Sequence, residues 1–208
     1  MSDSIRAFVA LPLPEEVRDR LGALRQAAPD GAKVSWLKPD SIHLTLKFLG
    51  DVMPDRLERL KAALSALPWD RGAFGFTLAE VGAFPNLARP RVLWVGVEQG
   101  GDVVIELAAA VDAITRRLGF PREERRFTPH LTIGRVKSPP GRDWGDRFVR
   151  AARFEPETVS ADRIVLYQSR LLPSGAEHTP LLVIPLGRGG EPPHDRSTGE
   201  SHSSPSVE

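Results

Sequence analysis

The tripeptide His-Leu-Thr occurs twice in this chain, at residues 43–45 and again at residues 130–132. A strand-like apolar run that begins at Arg6 is likewise matched by a run that begins at Arg91, and both features shift along the chain by nearly the same distance. Because separate features recur with a similar offset, the sequence indicates an internal duplication. We therefore expect two similar lobes that pack about a pseudo-twofold axis.

The hydrophobic pattern predicts a strand, a helix and a motif-containing strand in each lobe. Apolar residues recur at helical spacing in the segments 14–28, 54–67, 102–118 and 144–152. Short apolar runs predict strands, among them FGFTLAEVGAF, RVLWVGVE, RIVLYQS and HTPLLVIPL. The predicted fold class is α+β: a duplicated two-lobed fold with central antiparallel sheets flanked by helices, and with an active-site cleft between the lobes.

Strand geometry places the polar and the apolar residues of the motif on opposite faces of the sheet. Residues two apart on a strand point to the same face, so His43 and Thr45 share one face and Leu44 faces the opposite way, toward the helices. The same holds for His130 and Thr132 in the second lobe. In a pseudo-twofold arrangement, we expect the two motif strands to lie side by side with both histidines facing one cleft.

Composition limits the classes of protein that fit this chain. It has no cysteine, which excludes disulfides, thiolate metal sites and a cysteine nucleophile. The formal net charge of +1 gives no argument for tracking along a long polyanion. No apolar run approaches the roughly 20 residues that span a bilayer. We expect a cytoplasmic monomer with no membrane association and no obligate protein partner.

The C-terminal residues 188–208 are rich in Gly, Pro, Ser and charge, a composition typical of a chain that cannot bury a core. We predict a disordered tail there and one two-lobed domain over residues 1–187. His194 and His202 lie in the tail, where solvated side chains are expected rather than metal ligands. The histidines of the folded part are then His43, His130 and His178.

Two histidines that face one cleft suit acid–base chemistry. With an ordinary pKa near 6.5, one imidazole can be neutral and the other protonated near neutral pH, so a pair supplies both a base and an acid without a metal ion. The hydroxyls of Thr45 and Thr132 lie on the same face, where they can donate to developing negative charge. We predict these four residues to be catalytic, with no cofactor and no metal.

The paired motifs HLTL and HLTI, the start RAFVALPLP, and the runs RPRVLWVGV and LYQSRLLPSG together resemble the two-histidine (HxTx) phosphoesterase superfamily. The resemblance is to its RNA 2′,3′-cyclic phosphodiesterase (2′-5′ RNA ligase-like) branch, and it extends from about Ile5 to Leu186. It implies a phosphoesterase domain that opens RNA 2′,3′-cyclic phosphates to 2′-phosphate ends, with 2′-5′ ligation as the reverse reaction. Spacing alone does not say which histidine is the acid. The resemblance implies His43 as proton donor and His130 as proton acceptor.

Further residues are predicted to contact substrate. The resemblance favours Arg135 as a phosphate ligand, although strict alternation places it on the wrong face unless a bulge or turn after Gly134 re-aims it. Phe48 is predicted either to stack on a base or to pack in the core. By strand alternation, Lys47 lies on the same face as His43. It is predicted either to add positive charge to the site or to be an ordinary solvated lysine. His178 stands where family members often carry tyrosine, and we expect a substrate-side contact there.

Other functions fit parts of this pattern. A binding module would use the His-Thr cleft to hold a nucleotide or an RNA end without turnover, although two intact motifs speak against it. A related enzyme would act on the cyclic phosphate of a small nucleotide or on 2′-5′ oligoadenylate. A purely structural protein would leave the duplicated polar pair unexplained.

Overall fold

A computed structural model describes residues 4–124, 126–138, 141–172 and 175–187. The predicted tail, with His194 and His202, lies outside the described residues. In the described ranges, no helix is both long and apolar enough to span a membrane.

The strands and helices follow one another in the predicted order, with one additional strand. The strands are β1 (Ile5–Leu11), β2 (Val34–Trp36), β3 (Leu44–Val52), β4 (Phe74–Phe84), β5 (Val92–Gln99), β6 (His130–Val136), β7 (Glu157–Ala161), β8 (Arg163–Leu172) and β9 (Gly175–Pro185). The helices are α1 (Glu15–Ala23), α2 (Pro54–Ser65), α3 (Gly101–Arg117) and α4 (Trp144–Ala151). Short 3₁₀ turns follow at Leu24–Ala27, directly after α1, and at Pro39–Ser41.

The strands form one antiparallel sheet in the order β7-β4-β5-β6-β3-β1-β8-β9, with β2 paired to β6. The two motif strands, β3 and β6, are neighbours at its centre. On either side the sheet repeats one pattern, because β1 lies between β3 and β8 just as β5 lies between β6 and β4. The α+β class, the duplication and the adjacent motif strands are therefore confirmed.

The core lies between one face of this sheet and the helices. Leu44 and Leu46 of β3 and Leu131 and Ile133 of β6 are buried in it, as the strand pattern predicts. The helices contribute the residues that recur every three or four positions, because only one face of each can leave water. On α3 these are Val104, Leu107, Ala108, Val111 and Ile114.

Local sequence sets the ends of several elements. Gly100 precedes α3 with a positive φ of 72°, and a Cβ there would stand 2.5 Å from the carbonyl oxygen of Gly75, so only glycine fits without displacement. Strand β7 was not predicted, because its five residues, ETVSA, contain few large apolar side chains. It is recognised only through its pairing with β4.

Candidate active site

One backbone pairing brings the two motifs together. Leu44 lies opposite Leu131 in the antiparallel β3–β6 pair. In such a pair the flanking residues also oppose each other, so His43 lies across from Thr132, and Thr45 across from His130. The two leucines are fully buried, whereas the histidines and threonines are only partly buried. Each histidine thus faces the threonine of the other half.

Both motif strands bulge at the same place. On β3, Thr45 pairs with Ala10 and Lys47 with Val9, which leaves Leu46 as the extra residue. On β6, Thr132 and Gly134 pair with consecutive residues of β5, which leaves Ile133 as the extra residue. A one-residue bulge reverses the alternation of the side chains that follow directly after it. Strict alternation therefore fails after each threonine.

The bulges direct Phe48 and Arg135 toward the cleft, where both are exposed. Arg135 thus lines the cleft, as a role in phosphate binding would require, but the bulge lies at Ile133, before Gly134 rather than after it. Phe48 is 62% exposed, so the core-packing alternative is wrong.

The prediction that Lys47 presents its charge on the His43 face is wrong. Lys47 borders the cleft, but its side chain is only 4% exposed, and its Nζ donates to Asp112 Oδ1 at 2.6 Å and to the carbonyl oxygen of Pro121 at 2.7 Å. The bulge at Leu46 turns this side chain toward α3. Its ammonium therefore anchors α3 and the segment that precedes the second motif, and we withdraw it as a substrate ligand.

The motifs open into one cleft of about 1310 Å³. The predicted residues His43, Thr45, His130, Thr132, Phe48, Arg135 and His178 all line it. Further cations that were not predicted as site residues also line it, namely Arg6, Lys38, Arg89, Arg91 and Arg126, and among the described residues the one acid that lines it is Glu123. Within the described ranges, none of these cations takes part in an ion pair. The sequence did contain a clue to two of these cations, because Arg6 and Arg91 lie at the start of the two repeated strands.

His130 is held in one tautomeric arrangement. Its Nδ1 lies 2.8 Å from the carbonyl oxygen of Thr128, which can only accept, so Nδ1 carries the proton and Nε2 keeps its lone pair. Burial lowers the pKa of His130, the Thr128 carbonyl opposes this, and the charge of Arg135 lowers it further. The ring is therefore neutral near pH 7.

His43 lies in a more aromatic environment. Its ring stacks on Phe8 with 4.6 Å between centroids and meets the edge of His178 at 5.1 Å. Burial and the nearby His178 lower the pKa of His43 to about 3, although a backbone hydrogen bond with Ser41 opposes the shift. In the free protein, His43 is neutral near pH 7.

The aromatic neighbours of the two histidines were not predicted as site residues. Phe8 lies beneath His43, and Phe84 meets the edge of His130 with 5.0 Å between centroids. Phe84 also packs on Trp94, which occupies the space where a side chain at Gly82 would lie. Their strand pattern resembles that of ordinary core residues, which is why sequence alone did not single them out. Among the described residues, no three His, Asp or Glu side chains cluster as a metal site requires.

Known proteins share this arrangement across most of the chain. The family model described as LigT-like phosphoesterase matches residues 11–94 and again residues 95–177, one match for each half of the duplication. An RNA 2′,3′-cyclic phosphodiesterase of Methanothermobacter thermautotrophicus is 32% identical over 184 residues, which cover 88% of this chain and 99% of that protein.

Solved structures are similar in fold. A crystal structure of a Thermus thermophilus protein matches with a TM-score of 0.73 and 28% identity, over 89% of this chain and 100% of that one. The LigT protein of Escherichia coli, in a complex with 3′-AMP, matches with a TM-score of 0.68 and 27% identity, over 88% of this chain and 98% of that one.

Proposed function

Because this chain belongs to the LigT-like phosphoesterase family, we propose that it hydrolyses RNA 2′,3′-cyclic phosphate ends to 2′-phosphate ends. The observation that carries this proposal is the central β3–β6 pairing, which sets two His-Thr pairs across one cleft. The activity of the Methanothermobacter relative and the nucleotide bound by the Escherichia coli protein support the same substrate class.

In this proposal His130 is the base. Its Nδ1 is committed to the Thr128 carbonyl, so Nε2 is free to accept a proton from water as the water oxygen attacks phosphorus. Burial lowers the pKa of the ring below its ordinary value, which favours the neutral form that accepts a proton.

His43 is the acid in this proposal, and it gives its proton to O3′ as the P–O3′ bond breaks. In the free protein its pKa of about 3 leaves it unprotonated, so it needs a source of negative charge before it can hold a proton. The anionic phosphate of the substrate supplies that charge at close range. Protonation of His43 is thus coupled to substrate binding, and afterwards His130 returns its proton to solvent.

Neighbouring groups stabilise the charge and hold the nucleotide. The hydroxyls of Thr45 and Thr132 donate to the non-bridging oxygens, and Arg135 adds a guanidinium that also favours negative charge. Phe48 offers an exposed ring on which a base can stack. His178 contacts the substrate on the His43 side. Action as a cytoplasmic monomer, with a disordered tail over 188–208, stays a prediction from the sequence.

The test is hydrolysis of an oligonucleotide with a 2′,3′-cyclic phosphate end, with a chelator present, by the wild type and by His43→Ala and His130→Ala. We expect turnover to a 2′-phosphate end by the wild type, and a loss of about 10² to 10⁴-fold in each variant because each removes one proton-transfer group. His202→Ala serves as a matched histidine control and should retain full activity.

Other outcomes separate the remaining functions. Nucleotide binding without turnover by a folded wild type would identify a binding module. Turnover confined to cyclic mononucleotides or to 2′-5′ oligoadenylate would identify a related enzyme with another substrate. Ligation uses an RNA hydroxyl in place of water, and it is tested by adding an RNA with a free 5′ hydroxyl and identifying the linkage in any joined product.

A further inference from the structure

The two motif histidines have different neighbours at their edges. His43 meets the ring of His178 at 5.1 Å and 84° between planes, whereas His130 meets the ring of Phe84 at 5.0 Å and 88°. The geometry of the two contacts is almost the same, but the chemistry is not. The duplicated fold places a titratable ring beside one histidine and an apolar ring beside the other.

Two contacts fix the position of His178 beside His43. Ser41 Oγ donates to the carbonyl oxygen of Ala176 at 3.0 Å, and these residues stand two positions before His43 and His178 respectively. Phe8 touches both rings, with centroid distances of 4.6 Å to His43 and 5.0 Å to His178. The contact between the two histidines is therefore fixed by the packing of the strands that carry them, and it does not depend on the rotamer of an exposed side chain.

The His178 ring lines the cleft and is half-buried. Its Nδ1 is shielded from solvent and has no hydrogen-bond partner among the described residues. A proton on Nδ1 would therefore lack a protein acceptor among the described residues, and burial lowers the pKa of His178.

Few groups around His43 can change charge. From β1 it faces Phe8, from β8 Tyr167 at 6.2 Å, and from β9 His178, while Ser41 contributes only its backbone. Burial raises the pKa of Tyr167, so its phenol stays neutral at neutral pH. On the other side, β6 contributes Thr132, which does not titrate, and His130, which lines the same cleft. Beyond the effect of burial, it is the charge of His178, among the described residues, that lowers the pKa of His43.

We propose that His178 acts through His43: the two imidazoles compete for one proton, and this competition makes the His43 half of the site the acid of the reaction. The pair takes up a single proton from solvent when an anionic phosphate lies beside it, and His43 passes that proton to the leaving oxygen. His130, whose edge neighbour is a phenyl ring, has no such competitor and remains the neutral base. The acid role rests on the proposed function, whereas the competition itself does not.

The direct test follows each imidazole by NMR as the pH is varied, in the free protein and in the presence of inorganic phosphate. Single substitutions assign the signals of the five histidines. Loss of the like charge in His178→Gln and in His178→Tyr should move the His43 titration to higher pH by about one unit. Tyr167→Phe is the matched control, since it changes another ring of the same cluster without removing a group that titrates near neutral pH, and it should leave His43 unchanged.

A second readout is the pH profile of kcat/KM on a cyclic phosphate substrate. The variants at residue 178 should show a larger ratio of kcat/KM at pH 5 to kcat/KM at pH 8 than the wild type does, because at low pH the wild-type pair places part of its single proton on His178, whereas at pH 8 His178 is neutral. Identical His43 titration curves in the wild type and both variants would overturn the competition. Absence of turnover by the wild type would instead overturn the proposed function, and the NMR experiment would still decide the competition.

Discussion

The two halves of the site share their backbone and differ in what surrounds it. Both motif strands carry His-Leu-Thr, both bulge at the residue after threonine, and both are flanked by an equivalent strand. Yet His43 lies between a phenyl ring and another imidazole, while His130 is hydrogen-bonded to Thr128 and lies near Arg135. Duplication therefore supplies two equivalent catalytic groups, and divergence of their neighbours gives them different tasks.

The different roles of His43 and His130 are tested most directly with a substrate whose leaving group needs no proton from an acid. On a 3′-deoxynucleoside 2′-(4-nitrophenyl phosphate), the leaving phenolate departs without a proton, so His43→Gln should lose less than about tenfold in kcat. On the cyclic phosphate the same variant should lose about 10² to 10⁴-fold, and His130→Gln should lose that much on both substrates. Equal losses for the two variants on the aryl ester would contradict the assigned roles.

The residues just after the two bulges differ in a way that affects stability. Lys47→Met leaves the partly buried Asp112 without its partner and should cost about 3 kcal/mol in the free energy of unfolding. At the equivalent position, Gly134→Ala places a Cβ 2.9 Å from Trp36 Cε3 and should cost about 1–2 kcal/mol. Urea unfolding measures both.

Lys61→Met is the control for this experiment, because Lys61 pairs with Glu58 at the surface and its loss should change stability by less than about 0.5 kcal/mol. If Lys47→Met were as mild as Lys61→Met, the anchoring role of Lys47 would be wrong.

The different environments also predict a pH dependence of folding. The pKa of His43 is about 3 in the folded protein and near 6.5 in the unfolded chain, so below pH 6.5 the unfolded state binds the extra proton. Stability is thus full above pH 6.5 and falls as the pH drops toward 3, by about 2 kcal/mol between pH 7 and pH 5. His43→Phe should remove this part of the acid sensitivity, as measured by urea unfolding at both pH values. An unchanged slope in that variant would show that other groups cause it.

The smallest expected effects concern the cleft residues exposed by the bulges. Arg135→Gln should raise KM about tenfold, and the difference from the wild type should shrink at high salt because a phosphate contact is screened. Phe48→Leu should raise KM about threefold, with little salt dependence and a larger effect for purine than for pyrimidine ends. Steady-state kinetics at two salt concentrations checks both. The reverse salt pattern would mean that the two positions were assigned the wrong contacts.

Much of this site was predictable because strand periodicity is local. His43, Thr45, His130 and Thr132 could be placed on one face by counting residues, and the repeat predicted that their strands would meet. The bulges could not be read in the same way, because a bulge is a relation between two strands. Lys47 was misplaced for that reason, and Arg135 could be placed only by assuming a bulge.

The sequence by itself determined the duplication, the α+β class and the paired His-Thr chemistry, since these depend on residue type and spacing along the chain. The tertiary structure decided which groups touch each histidine. His178 lies far from His43 in sequence and reaches it only because β9 pairs with β8 and β8 with β1. The protonation of a buried imidazole depends on such neighbours and on its distance from water, and both are properties of the folded chain.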